Sequence, residues 1–466
     1  MSFTQIEFFI FIGLIYALLM FFKSIIARKL IIILGNIYFY AYWDYRFLLL
    51  ISIPAITDFF FATTIGSSTN RYVKRAALVG SLVIDLSILG YFKYFNWFIS
   101  SFGQITSSVD ITANPMKIIL PLGISFFIFR MISYTVDVYK EKLEPCKNFA
   151  DFFLYATFFP IMVSGPISRA HNFIPQLKEY SIQIKDIYPA FRLFVIGIFI
   201  KVFVADNIAI FVNYYYENYQ VFNTWTSWLA TVSYSIQIYC DFAGYSSMAI
   251  GISLLLGFKI EDNFNYPYLS GNIREFWRRW HITLSEWIRD YIYLPLGGNR
   301  KGEVRATLNI IIAMMICGIW HGAASTFLCW GLIHGLMLSI YRTLNKIKTI
   351  ISKKLFPLHL NQFIGIIITF IFVTLAWIFF RSETLVQAIE IIANLFSIHE
   401  GIAWYPPFVI FILVGIICVH IAKAMDFEFV DLKTENKYSL PLLFALLWLV
   451  ITFSPKDFQP FIYALF

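Results

Sequence analysis

Two histidines in this 466-residue chain stand where an imidazole could act on a substrate. His321 lies in Gly318-Ile319-Trp320-His321-Gly322, near the middle of the 36-residue apolar run Ala306–Tyr341. An ionisable group inside a membrane costs about 2.5–3.5 kcal/mol on insertion scales and marks a functional candidate. The bracketing glycines let backbone or a substrate approach closely. A neutral imidazole there is a nitrogen base able to take a proton from a hydroxyl. The plainer reading is a histidine hydrogen-bonded to a neighbouring helix.

His281 sits in Phe276-Trp277-Arg278-Arg279-Trp280-His281-Ile282-Thr283-Leu284-Ser285-Glu286-Trp287. Trp277, Trp280, Leu284, Trp287, Ile288 and Tyr291 recur at three- and four-residue spacing. That pattern predicts one amphipathic helix at the cytoplasmic surface, capped by Asn272. Tryptophans around an imidazole serve equally as a surface anchor or as a shield that keeps water from a reaction. Asp241, at the middle of an apolar run, either orients a histidine or forms a structural ion pair. Arg130, Lys201, Asp58 and Asp85 are also embedded and are expected to pair structurally or to line a polar cavity. His334 follows His321 by 13 residues, about 220° around a helix, so the two share no face. His171, His359, His399 and His420 read as loop or interface residues. A metal site from His281, His321 and Asp241 lacks any H-x-x-x-H or HExxH spacing. No glycine-rich phosphate loop or G-x-S-x-G elbow is present.

The elements that must position these groups follow from composition. The chain is 59% hydrophobic, 20% aromatic and 14% charged, against about 25% charged in soluble domains. Its five cysteines (146, 240, 317, 329 and 418) are scattered without a CxxC pair, which argues against a disulfide framework and a zinc site. A helix crosses the hydrocarbon layer with about 20 apolar residues, and the apolar runs predict about eleven passes. Among them are Met116–Tyr139 and Trp225–Phe258, the latter either one long bent span or a broken pair at Gly244. Ala306–Tyr341 is long enough for two short helices, and Phe149–Pro166 is either a span or re-entrant. The first run lacks the basic flank and small-residue cleavage site of a signal peptide. The expected organisation is one integral-membrane domain over residues 1–466. It has an amphipathic cytoplasmic-side segment at about 259–305 and a tail at 454–466.

Net charge is +8, and 29 of the 36 basic residues fall in seven clusters, from Lys23/Arg28/Lys29 to Lys423/Lys433/Lys437. The loops Ser101–Pro115 and Asn213–Thr224 contain none. Basic loops face the cytoplasm, which predicts extracytoplasmic N- and C-termini, with Phe149–Pro166 returning to the side it entered from. No basic stretch suits nucleic acid; the positive face would meet membrane lipids and a phosphorylated donor.

The chain resembles the membrane-bound O-acyltransferase (MBOAT) family, and looks most like the bacterial branch that exports acetyl groups to alginate or peptidoglycan. The resemblance rests on F-W-R-R-W-H-I-T-L-S-E-W (Phe276–Trp287), D-Y-I-Y-L-P-L-G-G-N (Asp290–Asn299) and G-I-W-H-G (Gly318–Gly322). Y-C-D-F-A-G-Y-S-S-M-A-I (Tyr239–Ile250) also matches, with Cys240 where an aromatic is more usual. It implies an all-α polytopic protein whose helices ring a central tunnel, with funnels from both faces meeting near His321. The family's near-invariant histidine maps onto His321 and its more variable second position onto His281. Trp320, Trp277, Trp280 and Asp241 would support the substrates. Arg274, Arg278 and Arg279 would contact a cytoplasmic thioester donor, acetyl-CoA; no bound cofactor is implied.

The resemblance further implies a bacterial inner-membrane location and an extracytoplasmic SGNH, esterase-like partner that completes transfer to the polysaccharide. The ending Phe461-Ile462-Tyr463-Ala464-Leu465-Phe466 is similar to C-terminal segments in this branch, which makes Tyr463 a candidate acyl relay. D-alanyl transfer to teichoic acid is the alternative within the family. A transporter would instead show inverted repeats, and none is visible. It would also leave the paired histidines unexplained, and a non-enzymatic scaffold for the partner is a third reading, kept open by the aromatic surface.

Overall fold

A computed structural model describes residues 1–106, 118–351, 358–427, 438–456 and 461, without the side chains of 101–106, 346–351 and 358–361. In chain order the principal helices are α1 (Ile6–Phe21), α2 (Ile25–Asp44), α3 (Phe47–Ser67), α4 (Arg71–Leu89), α5 (Phe95–Thr106), α6 (Ile124–Tyr139), α7 (Phe149–Thr157), α8 (Ile187–Ile198), α9 (Asn207–Glu217) and α10 (Thr224–Leu255). They continue as α11 (Ile273–Arg279), α12 (Ile282–Ile288), α13 (Glu303–His321), α14 (Ser325–Ile351), α15 (Leu358–Arg381), α16 (Leu385–Phe396), α17 (Pro407–Ala424) and α18 (Ser439–Phe453). Among the described residues, nine helices are long and apolar enough to cross a membrane, and four shorter apolar ones accompany them. That range brackets the eleven passes expected.

The structure resolves the ambiguous runs. Trp225–Phe258 is one continuous 32-residue helix, α10. Ala306–Tyr341 divides at Gly322 into α13 and α14. Phe149–Pro166 holds only the nine-residue helix α7 and a short 3-10 turn, Phe159–Ile161. At 1.5 Å per residue α7 is about 14 Å long, too short to cross a bilayer as a helix. Within Met116–Tyr139 the helix begins only at Ile124, after Gly123 in a left-handed conformation (φ 72°).

The helices fall into two compact units, Met1–Phe194 with Ser246–Glu261, and Val195–Tyr245 with Asp262–Phe466. In the first, α3, α4 and α6 pack together. Ser81 Oγ donates to Asp58 Oδ1 at 2.7 Å between α3 and α4, and Arg130 donates to the Tyr155 carbonyl at 3.3 Å. These embedded polar groups are absorbed in helix packing.

The second unit carries both candidate histidines. Its centre is the antiparallel hairpin α13–α14, drawn close by glycines. A Cβ on Gly318 would meet the Phe327 carbonyl, and one on Gly331 would meet the Met314 carbonyl. Small residues permit such close backbone approach between membrane helices. The space beside Gly318 and Gly322 is therefore filled by Phe327, backbone and ring, rather than left for a substrate. Helix α15 runs antiparallel to α14, with Phe327 on Phe380 (4.9 Å), Trp330 on Trp377 (5.5 Å) and His334 on Phe372 (5.6 Å).

Candidate active site

The predicted single helix around His281 is broken. Helix α11 ends at Arg279, α12 begins at Ile282, and His281 between them is left-handed (φ 41°, ψ 57°). Such a conformation costs about 1–3 kcal/mol in a non-glycine residue and persists only where its surroundings impose it. Here the segment 263–265 does so. Asn265 N donates to the Arg279 carbonyl and Ile282 N to the Asn263 carbonyl, each at 3.0 Å. Asn272 caps α11 as expected, its side chain accepting from Glu275 N at 2.9 Å. The amphipathic pattern could not reveal the break, because the partners come from another stretch of chain.

The side chain of Asn263 also fixes the His281 ring. Thr283 N–H and Oγ–H both donate to Asn263 Oδ1 (3.4 and 2.7 Å), so the atom facing them is the oxygen. His281 Nδ1 lies 3.3 Å from the same oxygen and must therefore donate to it. That leaves Nε2 with the lone pair. The ring is 0% exposed, and burial pushes its pKa down to about 3. His281 is a neutral imidazole.

His321 is the last residue of α13 and is buried. Its ring meets Trp320, Phe380 and Trp330 with centroids 5.0, 5.1 and 5.2 Å away. Trp320 in turn lies 5.9 Å from His281, whose other side is covered by Phe242 at 4.6 Å. The two histidines thus share one tryptophan. Trp280 packs on Trp377 (4.9 Å) and Phe276 (5.5 Å). Trp277 Nε1–H donates to His334 Nδ1 at 3.3 Å. By spacing alone His334 shares no helical face with His321. It occupies a different helix, and Trp330 joins them, 4.7 Å from His334 and 5.2 Å from His321. The signal that could have found it is Gly331 and Gly335 around it, echoing the glycines beside His321.

Beside this aromatic group is a cavity of about 910 Å³ whose lining includes Arg274, Trp277, Arg289, Cys317, Leu338 and Arg342. On α13 the lining residues Ile310, Ala313, Met314 and Cys317 form one face. At helical spacing that face continues to Trp320 and His321. A basic cavity thus points along α13 toward the imidazole.

Comparison with known proteins identifies the family. Residues 146–386, which contain both histidines, match the membrane-bound O-acyltransferase family. A peptidoglycan O-acetyltransferase of Helicobacter pylori is 33% identical over 93% of this chain and 84% of its own length. A probable alginate O-acetylase AlgI of Pseudomonas aeruginosa is 36% identical over 79% of this chain and 70% of its own. A teichoic acid D-alanyltransferase of Bacillus subtilis is 29% identical over 58% of this chain and 70% of its own. The chain belongs to the membrane-bound O-acyltransferase family.

It is therefore an acyltransferase and a multi-pass integral membrane protein. In this acyltransferase the three arginines expected at the donor part company. Arg274 lines the cavity without an acidic partner among the described residues, whereas Arg279 pairs with Glu275 at 2.7 Å and Arg278 is exposed away from the lining. Arg289 and Arg342, which sequence reasoning did not single out, line it as well, paired with Asp290 at 2.7 Å and Glu303 at 3.2 Å. Asp241 turns out to bind a lysine, not a histidine. Lys201 Nζ lies 2.6 Å from Asp241 and 2.5 Å from Asp206, inside the π-helical turn Phe199–Asp206. Among the described residues no three His, Cys, Asp or Glu side chains gather as a metal site would require. Tyr463 lies outside the described residues. Phe461, two positions before it, is buried against Tyr245 (4.8 Å) and Phe242 (5.9 Å), the ring that covers His281.

Proposed function

We propose that this acyltransferase is a transmembrane O-acetyltransferase, taking acetyl from cytoplasmic acetyl-CoA and delivering it outward to a cell-wall or exported polysaccharide, peptidoglycan or alginate. The observation that carries the reading is His321 at the head of the helix face that lines an arginine-bearing cavity. The relatives named for O-acetylation match 79% and 93% of the chain, against 58% for the D-alanyltransferase, which favours acetyl.

In the reaction the acceptor oxygen attacks the thioester carbon while its proton passes to the His321 imidazole. The carbon–sulfur bond then breaks, and the proton returns to the departing thiolate of CoA. General-base assistance of this kind is worth about 10²–10⁴-fold. His281, whose Nε2 carries the ring's lone pair, orients the acceptor hydroxyl across Trp320. Arg274, Arg289 and Arg342 hold the donor's phosphates, since charge-assisted bonds to phosphate are the strong ones.

The protein resides in the bacterial inner membrane with both termini outside, as the distribution of basic loops favours. There an SGNH, esterase-like partner completes transfer to the glycan. Tyr463 relays the acetyl group, a role supported by the burial of Phe461 against the ring beside His281. Base-labile acetate on the purified glycan of a deletion strain, complemented with wild type or His321→Ala, tests the reading. Wild type restores acetate and His321→Ala does not, although the protein reaches the membrane. Full acetylation by the variant would overturn the reading. Loss of D-alanine esters in place of acetate would move it to teichoic acid.

A further inference from the structure

The cavity stops one helical turn short of both α13 and α14 histidines. Its lining ends at Cys317 on α13, four residues before His321, and at Leu338 on α14, four residues after His334. Trp277 is the lining residue that reaches this end. Its indole stands 5.8 Å from Trp330, which covers His321 edge-on at 5.2 Å. A donor lying in the cavity must present its acyl carbon to His321 past these two rings.

Trp277 is not free to swing aside. Its N–H is held by His334 Nδ1 at 3.3 Å. The His334 ring is fully buried and caged by Phe276 (6.3 Å, 14° between planes), Trp330 (4.7 Å) and Phe372 (5.6 Å). An imidazole that accepts on Nδ1 carries its proton on Nε2, so the pair has one hydrogen-bonding arrangement. Nothing in the acyl-transfer step requires His334 to exchange a proton.

We infer that Trp277, held in place by His334, is the stop that restricts this enzyme to short acyl groups, with His334 as a positioning residue. The inference rests on the donor reading above. Each methylene beyond acetyl presses against the indole, and one methylene in such a pocket changes selectivity by about 10–200-fold.

Membranes carrying the protein are given equimolar acetyl-CoA and propionyl-CoA, and consumption of each is followed by mass spectrometry. Membranes with His321→Ala serve as the blank. Wild type prefers acetyl-CoA. Trp277→Ala and His334→Leu lower the acetyl-to-propionyl ratio at least tenfold. His334→Asn keeps the wild-type ratio, because its Oδ1 can still accept from the indole. The ratio does not depend on how much protein folds, and Trp277→Phe, which keeps a ring but loses the N–H, provides a milder variant. An unchanged ratio in Trp277→Phe, Trp277→Ala and His334→Leu, or a His334→Asn ratio shifted like that of His334→Leu, overturns the inference. If wild type consumes neither thioester above the blank, it is the donor reading that fails.

Discussion

The His281 and Trp320 rings stand 5.9 Å apart at 61°, and Trp320 is the residue that precedes His321 in α13. One indole therefore links a histidine held at a helix break to a histidine held at a helix end. That ring is 3% exposed. Reacting groups held in fixed positions avoid the entropy cost of being brought together during reaction.

Arg274 and Arg278 differ in position by one helical turn and should differ in effect. Arg274→Ala removes a cavity-lining cation, and the apparent KM for acetyl-CoA rises about tenfold or more, the loss expected for one charge-assisted bond. Arg278→Ala leaves it within about twofold, as for ordinary surface substitutions. Steady-state kinetics on membranes separates them, and equal KM changes would remove Arg274 from the donor site.

His281 makes stability depend on pH. Its folded-state pKa is pushed from near 6.5 to about 3 by burial, so the folded protein favours the neutral ring. This contribution is complete above pH 6.5 and is lost as pH falls from there toward 3. Across that window unfolding takes up one proton, and stability falls by about 1.4 kcal/mol per pH unit from this group. Thermal unfolding in detergent between pH 7 and pH 5 should show a flatter dependence for His281→Gln. Parallel slopes would mean that His281 is not buried as described.

Gly318→Ala inserts a methyl group against the Phe327 carbonyl. Because the obstacle is backbone, α13 and α14 must separate, at about 1–3 kcal/mol. The variant should unfold at lower temperature and lose activity, since the displaced end of α13 carries His321. Gly415, with nothing within 4 Å of its added Cβ, is the control: Gly415→Ala should cost no stability.

The Lys201 cluster holds two carboxylates around one ammonium. Lys201→Met leaves Asp206 and Asp241 buried together and should destabilise by about 3–5 kcal/mol. Asp241→Asn keeps the Lys201–Asp206 pair and should cost markedly less. Chemical denaturation of both variants in detergent gives the order, and the reverse order would contradict the ion pairing seen at 2.5 and 2.6 Å.

Most of the helices and the burial of His321 were legible in the sequence. Apolar runs of the right length must form helices in a membrane, because every backbone polar group there needs an internal partner. Glycine beside an embedded histidine is likewise a local signal. Asn272 as a cap needed only its own first turn.

Tertiary structure decided the rest. Periodicity reports which residues are apolar, but not which backbone groups find partners elsewhere. The tryptophan stripe from Trp277 to Tyr291 therefore reads as one helix, whereas Asn263 and Asn265 pair across its break. His334 meets the site only because α14 folds back on α13 through Gly318 and Gly331. Asp241 meets Lys201, and Arg289 and Arg342 join Arg274, because separate helices bring them together. The chain by itself determined a membrane acyltransferase with His321 as its candidate base. Which groups surround that base depended on contacts between residues far apart in sequence, and these have no signature in local spacing.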